Sequence, residues 1–506
     1  MTQQDIYLLS PEISLIGLAL AIVILDIFVK QKLITQCLIG IGLVLPVIFS
    51  VLLWNGVGLG GDFDAGIQTL GIFNTLVVDR FTLLFKFLLI GILAIVIISS
   101  LSYVHRFEKI KIEYFSLLIF STVGMMMLVS TTELITLYIS LELTALPMAL
   151  LIAIPGTRLS SEAGIKFLIL SAVSSALLIY GMVWIYGLTG TTDLVEIFKS
   201  VALITGSTES SSTVPFGNYG ILLGVILMIA GFGFKISSVP FHMWVPDVYE
   251  GAPTPVTAFL SVASKAAGFA VILRVFYGSF SNEVLSLEWS MIFAVMAILS
   301  MVIGNFVAIA QKNMKRLLAY STIAHAGYIM MGLTVVSGRM EVFSLEGASS
   351  VVFYLIGYAA TNLAAFVAVI AISNRTGSYL IEDFAGIGRR SPFIAFCLAA
   401  SLISLTGIPP TVGFMAKLNV FTSAFNGGLW WLVMAGTLSS VVSAYYYLRV
   451  IKIMYLYDPL ENVRIKADPL TLAALTITSL AIVVFGIYPT PLIKAATVAV
   501  EFLLIY

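Results

Sequence analysis

Apolar stretches of roughly twenty residues follow one another along most of the chain, separated by short polar breaks. A stretch of this length crosses the hydrocarbon core of a bilayer as an α-helix. The composition agrees, because 60% of the 506 residues are hydrophobic and 10% are charged, whereas a typical soluble domain carries about 25% charge. The chain is therefore predicted to be an all-α polytopic membrane protein. An ordinary soluble enzyme, a nucleic-acid-binding protein and a disordered protein are excluded.

The polar breaks divide the sequence into about fourteen predicted transmembrane spans. The span at 392–424 is too long for one crossing and contains Pro409 and Pro410, so it is predicted to be a helix broken within the membrane. The apolar tail at 491–506 is predicted to be an interfacial helix. The spans are residues 11–29, 34–53, 80–103, 113–130, 133–153, 162–187, 220–239, 255–277, 288–310, 316–336, 349–373, 392–424, 428–455 and 469–488.

Basic residues are distributed unequally between the predicted loops. With the N terminus outside, sixteen of the 26 Lys and Arg residues lie in inner loops and four lie on the outer side. Lysine and arginine concentrate in the cytoplasmic loops of membrane proteins. The distribution predicts a multi-pass protein of the cell inner (plasma) membrane with both termini outside, in the periplasm of a bacterial host.

Six basic residues remain within predicted spans, where a charge costs at least about 2.5–3.5 kcal/mol. Three lie nearer span ends, where a long side chain can extend to the interface; these are Lys86, Lys166 and Arg274. The other three, Lys235, Lys265 and Lys417, lie deeper, and one carboxylate, Glu142, joins them. Ionisable residues at such depth indicate function, and a pathway for an ion or proton is the usual one.

A buried lysine and a buried carboxylate can together act as a proton switch. Desolvation disfavours the charged form of a lysine, and a nearby carboxylate favours it. Bringing Glu142 towards Lys235 would therefore hold a proton on the lysine, and separating the two would release it. Lys235 lies five residues before Pro240, and Lys417 lies seven residues after Pro410. Transporters place ion sites at helix breaks of this kind.

The spacing of these residues reveals an internal repeat. Glu142 precedes Lys235 by 93 residues, and His325 precedes Lys417 by 92. Because five spans separate the two copies, the second copy is predicted to be inverted relative to the first. His325 then takes the place of Glu142 as a candidate proton relay. The predicted division is an N-terminal three-helix segment, two five-helix repeats, and a C-terminal helix with its tail: 1–112, 113–277, 288–455 and 456–506.

Four segments carry a resemblance to a known family: GFKISSVPFHMWVPDVYEGAPTPVTAFLSVASK, LELTALPMALL, NMKRLLAYSTIAHAGY and LTGIPPTVGFMAK. They resemble the N subunits of the proton-pumping NADH:quinone oxidoreductase, complex I, which have mitochondrial and chloroplast counterparts. The wider antiporter-like family also contains the L and M subunits and the Mrp-type antiporters. Lys265 favours the N type, because the L and M subunits typically carry histidine there. Lys417 and the absence of a long lateral C-terminal helix favour it as well.

The resemblance implies a proton relay. Glu142 and Lys235 are expected to form the ion pair of the first half-channel, and Lys265 to bridge the two halves. His325 is expected to relay the proton in the second half, and Lys417 to load and release it.

A further lysine, Lys166, matches a family lysine and is expected to take part in the relay with help from Glu162. Asp247 and Glu250 are expected to shape the inner loop.

The same resemblance implies that quinone reduction takes place in other subunits and drives pumping in this one. The chain contains no Rossmann fingerprint, P-loop or cysteine cluster, so no flavin, iron–sulfur cluster, nucleotide or metal is expected to bind. The expected partners are the adjacent M- and K-type subunits of the membrane arm and the lipid bilayer, with no nucleic acid. An Mrp-type cation/proton antiporter, a membrane subunit of a hydrogenase-type complex and a purely structural bundle remain alternatives, and the electron donor stays open.

Overall fold

The computed structural model describes residues 3–28, 38–57, 69–71, 75–104, 110–206, 216–336, 345–459 and 467–503. Within these ranges the chain is almost entirely helical, because a helix satisfies its own backbone polar groups where no water is available. The strands in the described part form one antiparallel pair, β1 (Thr69–Gly71) and β2 (Leu76–Val78). The prediction of an all-α membrane fold is confirmed.

The N-terminal segment is mainly helical in its described ranges, and the first predicted repeat follows it. The N-terminal helices are α1 (Gln3–Leu8), α2 (Ser10–Phe28), α3 (Val44–Trp54) and α4 (Arg80–Ser100). The helices of the first repeat are α5 (Lys111–Ser130), α6 (Leu134–Ala153), α7 (Arg158–Thr189), α8 (Leu194–Gly206), α9 (Phe216–Lys235), α10 (Val245–Gly251), α11 (Thr254–Phe259) and α12 (Lys265–Gly278).

The second predicted repeat and the C-terminal segment complete the bundle. A 3₁₀ turn at Ile381–Phe384 lies between α15 and α16. The helices are α13 (Glu283–Ile309), α14 (Met314–Leu333), α15 (Glu346–Thr376), α16 (Ile387–Arg390), α17 (Pro392–Thr406), α18 (Val412–Asn426), α19 (Trp430–Leu456), α20 (Pro469–Ile487) and α21 (Thr490–Glu501).

Each predicted span corresponds to helix in the described part of the chain, although residue 29 of the first span, residues 34–37 of the second span and residues 504–506 of the tail lie outside it. Within the described ranges, ten helices are long and apolar enough to cross a membrane by length and composition. The other four predicted spans contain the shorter apolar helix Leu38–Trp54, the polar-lined helices α14 and α19, and the broken pair α17–α18. The count of fourteen and the inverted relation of the two repeats stay predictions.

Two helix breaks lie where the prolines predict them. Helix α9 ends at Lys235, and helix resumes with α10 at Val245, after Pro240. Helix α17 ends at Thr406, and α18 begins at Val412. A third irregularity is a π-helical turn, Leu260–Ser264, which joins α11 to α12 directly before Lys265. No proline lies within this turn to predict it.

The centre of the bundle is formed by α11–α12 and α15. Within their most apolar windows, 94% and 89% of the residues are buried, against 33–72% for the other candidate spans. Helix α15 packs against α11, α14, α17, α18, α20 and α21. Side chains on these helices therefore face protein, and a polar group placed there requires a protein partner.

Two of the basic residues expected to reach the interface are instead fully buried. Lys86 on α4 is 0% exposed, and its Nζ lies 2.7 Å from Oε1 of Glu12 on α2. Arg274 on α12 donates through Nη2 to both carboxylate oxygens of Asp79, at 3.2 and 3.0 Å. The interface prediction is wrong for both, because each has a buried carboxylate within reach that the sequence does not place beside it.

Removal of the Arg274 guanidinium is expected to destabilise the fold strongly. The Arg274→Met variant leaves the Asp79 carboxylate buried without its counter-ion, which typically costs about 3–5 kcal/mol of unfolding free energy. Thermal unfolding of the detergent-solubilised protein measures the loss. The exposed Lys199→Met variant is the control and should stay within about 0.5 kcal/mol of wild type. Equal stability of the two variants would contradict the assignment.

Candidate functional site

The first half of the site lies between α6, α7 and the end of α9. Ser175 on α7 donates a hydrogen bond to Glu142 Oε1 at 2.5 Å. One turn earlier on the same helix, Ser171 Oγ accepts a hydrogen bond from Lys235 Nζ at 3.4 Å. Residues four apart on a helix lie roughly 5–6 Å apart on one face. The two serines therefore stand between the carboxylate and the ammonium.

Glu142 and Lys235 are close but not in direct contact. Their charges attract each other, yet no nitrogen–oxygen distance of 4 Å or less joins these two described residues. Lys235 is 7% exposed and is the last residue of α9. The C-terminal end of a helix dipole favours a positive charge. The end of α9 thus supplies part of the stabilisation that a directly bonded carboxylate would otherwise give.

Helix α12 carries the site from the first repeat towards the second. Its Gly268 approaches α9 so closely that an added Cβ would lie 3.7 Å from Lys235 Cβ. Lys265 lies three residues before Gly268, on the same face of α12. The two lysines therefore belong to neighbouring faces of packed helices.

Lys265 contacts α14, in the second predicted repeat, directly. Its Nζ donates to the backbone oxygen of Thr322 on α14 at 2.5 Å, and the lysine is 1% exposed. The Thr322 hydroxyl accepts from Tyr358 Oη at 3.1 Å. Asn362 Nδ2 donates to Tyr358 Oη at 3.0 Å and to Ser261 Oγ in the π-helical turn at 2.8 Å. A chain of hydroxyl and amide groups thus runs from the Thr322 hydroxyl to the π-helical turn that precedes Lys265.

His325 is held between two tyrosines. Its Nδ1 lies 2.8 Å from Tyr354 Oη, and its Nε2 lies 3.4 Å from Tyr447 Oη. Tyr447 Oη also shares a hydrogen bond with Ser321. Both ring nitrogens therefore have hydroxyl partners that can donate or accept. An imidazole bonded in this way can take up a proton on one nitrogen and give one up from the other.

Lys417 lies across the second helix break. Its Nζ donates to the backbone oxygen of Thr406 at 2.8 Å and to Ser440 Oγ at 2.7 Å. Thr406 is the last residue of α17, where the backbone carbonyls have no partner within the helix. The ammonium also lies 4.6 Å from the centre of the Tyr328 ring, which adds a cation–π contact. Among the described residues no carboxylate lies within 4 Å of it.

One face of α14 connects these groups. Thr322, His325 and Tyr328 are spaced three residues apart, which places them on one side of the helix. Thr322 contacts Lys265, and Tyr328 contacts Lys417. The rings of His325 and Tyr328 are 5.6 Å apart. The structure therefore brings Lys265, His325 and Lys417 into one buried polar line.

Lys166 lies outside this buried polar line. Its side chain is 42% exposed, and its Nζ is 2.8 Å from Glu162 and 2.9 Å from Asp247. Arg316 on α14 joins Asp247 at 3.2 Å and Glu250 at 2.7 Å. Burial raises the pKa of Asp247, but the hydrogen bonds and charges of Lys166 and Arg316 lower this pKa by more. The cluster links α7, α10 and α14, and a relay role for Lys166 stays a prediction.

The sequence analysis missed the neutral groups of the site. Their signal is polar residues at helical spacing within apolar spans, such as Ser171 with Ser175 and Thr322 with His325 and Tyr328. Single hydroxyl groups are common in membrane helices, so this signal is weak without a known fold. The missed residues are Ser171, Ser175, Thr322, Tyr328, Tyr354, Tyr358, Asn362, Ser440 and Tyr447.

Comparison with known proteins assigns the fold to a family. A family model described as "NADH:quinone oxidoreductase/Mrp antiporter, TM" matches residues 131–443. The NADH-quinone oxidoreductase subunit N of Dehalococcoides mccartyi is 40% identical over 505 residues, covering 98% of this chain and 99% of the relative. The chain belongs to the NADH-quinone oxidoreductase subunit N family. The predicted resemblance is confirmed over nearly the full length.

Solved structures agree with the family. A chain of respiratory complex I from Thermus thermophilus shares 28% identity and a TM-score of 0.75, with 96% of this chain and 98% of that chain covered. A chain of the Mrp complex from Dietzia sp. has a TM-score of 0.81 at 18% identity, with 100% and 98% covered. At that identity the second likeness shows a common fold alone. Among members of this fold, the N subunit is the type supported by sequence.

Glycine substitutions test the close packing at the second break. A Cβ at Gly413 on α18 would lie 1.9 Å from the Ser404 backbone oxygen, so Gly413→Ala is expected to separate α17 from α18 and destabilise the subunit by roughly 1–3 kcal/mol. Gly187 on α7 has open space around it, and Gly187→Ala should stabilise the helix by about 0.5–1 kcal/mol. Thermal unfolding in detergent compares the two. A stable Gly413→Ala variant would contradict the geometry.

Proposed function

We propose that this chain is a membrane-arm subunit that translocates protons across the membrane, driven by quinone reduction in other subunits of an NADH-quinone oxidoreductase. The observation that carries the proposal is the buried line Lys265–Thr322–His325–Tyr328–Lys417. Its lysines are 1% and 4% exposed and are held by neutral oxygens. An ammonium without a bonded carboxylate can lose its proton without leaving an unpaired negative charge.

The proposed sequence of events begins at Glu142. A change in position of this carboxylate relative to Lys235 alters how strongly the lysine holds its proton. Charge then shifts through Lys265 to His325, whose two nitrogens exchange protons with tyrosine hydroxyls. Lys417, at the end of the line, takes up the proton and releases it. The first half-channel is residues 113–277, and the second is residues 288–455.

The position of the subunit in the complex and in the membrane is part of the same proposal. The full-length relatives are named as subunits of NADH-quinone oxidoreductase, which supports assembly with other membrane-arm subunits. We assign the adjacent positions to M- and K-type subunits and place both termini on the periplasmic side of the plasma membrane. No cofactor is assigned to this chain; quinone and NADH act in other subunits. Recovery of the chain alone with Na⁺/H⁺ exchange would favour an Mrp-type antiporter instead.

Removal of the terminal lysine tests the function. The Lys417→Ala variant lacks the group that loads the proton, so pumping that depends on it should fall by about tenfold or more. Proton uptake and quinone reduction are measured together in membrane vesicles that contain the assembled complex. Lys494→Ala removes an exposed lysine of α21 and should retain wild-type coupling. Wild-type pumping by an assembled Lys417→Ala complex would refute the proposal.

The serine beside Glu142 offers a second test. In the Ser175→Ala variant the carboxylate loses its 2.5 Å hydrogen bond, so the position of Glu142 is no longer fixed and pumping should slow by about tenfold. Ser174 is the matched control on the same helix, because its hydroxyl donates to the Gly231 backbone oxygen and contacts neither charged group. The Ser174→Ala variant should pump at close to the wild-type rate. Equal pumping rates in the two variants would remove Ser175 from the mechanism.

A further inference from the structure

Two buried ion pairs lie outside the proposed relay, and both involve helix α4. Asp79, Thr82 and Lys86 are spaced three and four residues apart, which places them on one face at the start of this helix. Asp79 is paired with Arg274 of α12, and Lys86 is paired with Glu12 of α2. Helix α4 packs directly against α11, the π-helical turn and α12. The Asp79 pair therefore contacts the helix that carries Lys265, and Lys86 lies on the same face of α4.

The Asp79–Arg274 pair is a structural contact between α4 and α12. Beyond the two bonds to Asp79, the guanidinium donates to Thr82 Oγ1 at 2.9 Å and to the Val129 backbone oxygen at 3.0 Å. Asp79 also accepts from the Thr82 backbone N–H at 2.6 Å as the N-cap of α4. Arginine does not lose its proton in proteins. Nε and Nη2 of the guanidinium are thus hydrogen-bonded, whereas Nη1 has no partner among the described residues. The pair is fixed in charge, and it ties α4 to α12.

The Glu12–Lys86 pair differs in each of these respects. Its side chains are 3% and 0% exposed, and Lys86 Nζ lies 2.7 Å from Glu12 Oε1. Among the described residues, neither carboxylate oxygen nor the ammonium has a hydrogen bond to any other group. A buried ion pair without such supporting bonds gives little net stability, since its desolvation cost is not recovered. Both partners can be neutralised, because each can gain or lose one proton.

We infer that Glu12 and Lys86 form a second protonatable carboxylate–lysine pair, which changes its protonation while the subunit translocates protons. The inference rests on the proposed function and extends it to the N-terminal helices, beyond the residues 131–443 that match the antiporter family model. In the simplest step, one proton moves from the Lys86 ammonium to the Glu12 carboxylate. The products are a neutral amine and a neutral carboxylic acid, so charge and atoms balance.

The contacts of α4 suggest how the pair senses the relay. Movement of α12, which carries Lys265, is passed to α4 through the Asp79–Arg274 contact and the direct packing of the two helices. The separation of Lys86 from Glu12 then changes, and the proton is held by one partner or the other. The fixed pair supplies the mechanical link, and the titratable pair supplies the proton site.

Paired substitutions in the assembled complex separate a protonatable role from a structural one. The Glu12→Leu/Lys86→Met double variant replaces the pair with apolar side chains of similar size, which a bundle tolerates well. Assembly, quinone reduction and proton uptake are measured in vesicles. We expect normal assembly but at least a twofold lower ratio of protons taken up to quinone reduced. An assembled double variant with the wild-type ratio would overturn the inference.

A spectroscopic measurement covers the case in which the double variant does not assemble. Infrared difference spectra of the working wild-type complex should contain a carboxylic acid band that shifts in Glu12→Asp and disappears in Glu12→Gln. Spectra identical in all three complexes would overturn the inference. The Lys417→Ala complex distinguishes the two proposals. If the Lys417→Ala complex pumps normally, the proposed function fails. If it is defective while the Glu12→Leu/Lys86→Met complex has the wild-type ratio, only the inference about Glu12 and Lys86 fails.

Discussion

An ammonium group in the interior of a membrane protein requires stabilising partners, and for two of the buried lysines this fold provides them where a helix stops. The Thr406 carbonyl is available to Lys417 because α17 ends at that residue. Lys235 lies at the C-terminal end of its own helix and so faces the negative end of the helix dipole. Neutral oxygens hold a charged lysine less firmly than a bonded carboxylate does. A lysine held in this way can exchange its proton.

Helix α14 is the junction between the two predicted repeats. It receives Lys265 from the first repeat at Thr322 and presents His325 and Tyr328 to the second. Arg316, on the first turn of the same helix, binds Asp247 and Glu250 of α10. A movement of the helices that carry these partners would therefore reach α14 at its first turn and at its centre. Since the helix is almost completely buried, neighbouring helices would have to move with it.

The sequence predicts the charged parts of the site and not their neutral partners. Lys235, Lys265 and Lys417 are evident because charge is rare in apolar spans. The prolines at 240 and 409–410 predict both breaks. Lys86 and Arg274 show the limit of this reasoning, because the decision between the interface and the interior depends on Glu12 and Asp79, which lie far away in sequence.

The hydroxyl partners could not be predicted from the sequence either. A serine or tyrosine costs little in a membrane helix, so its presence does not distinguish a site from ordinary packing. Tyr354 and Tyr447 become informative only when tertiary structure places one at each nitrogen of His325. The repeat spacing predicts which helices correspond, but the side-chain contacts between them depend on how those helices pack.

The π-helical turn Leu260–Ser264 fixes the direction in which Lys265 points. Such a turn holds one residue more than a regular α-helical turn, and each residue rotates the following helix by about 100°. Loss of a single residue from this segment would leave the composition and the hydrophobicity of the span almost unchanged. It would nevertheless turn Lys265 away from the Thr322 carbonyl. Insertions and deletions here should therefore be far less tolerated during evolution than the apolar substitutions the segment can accept.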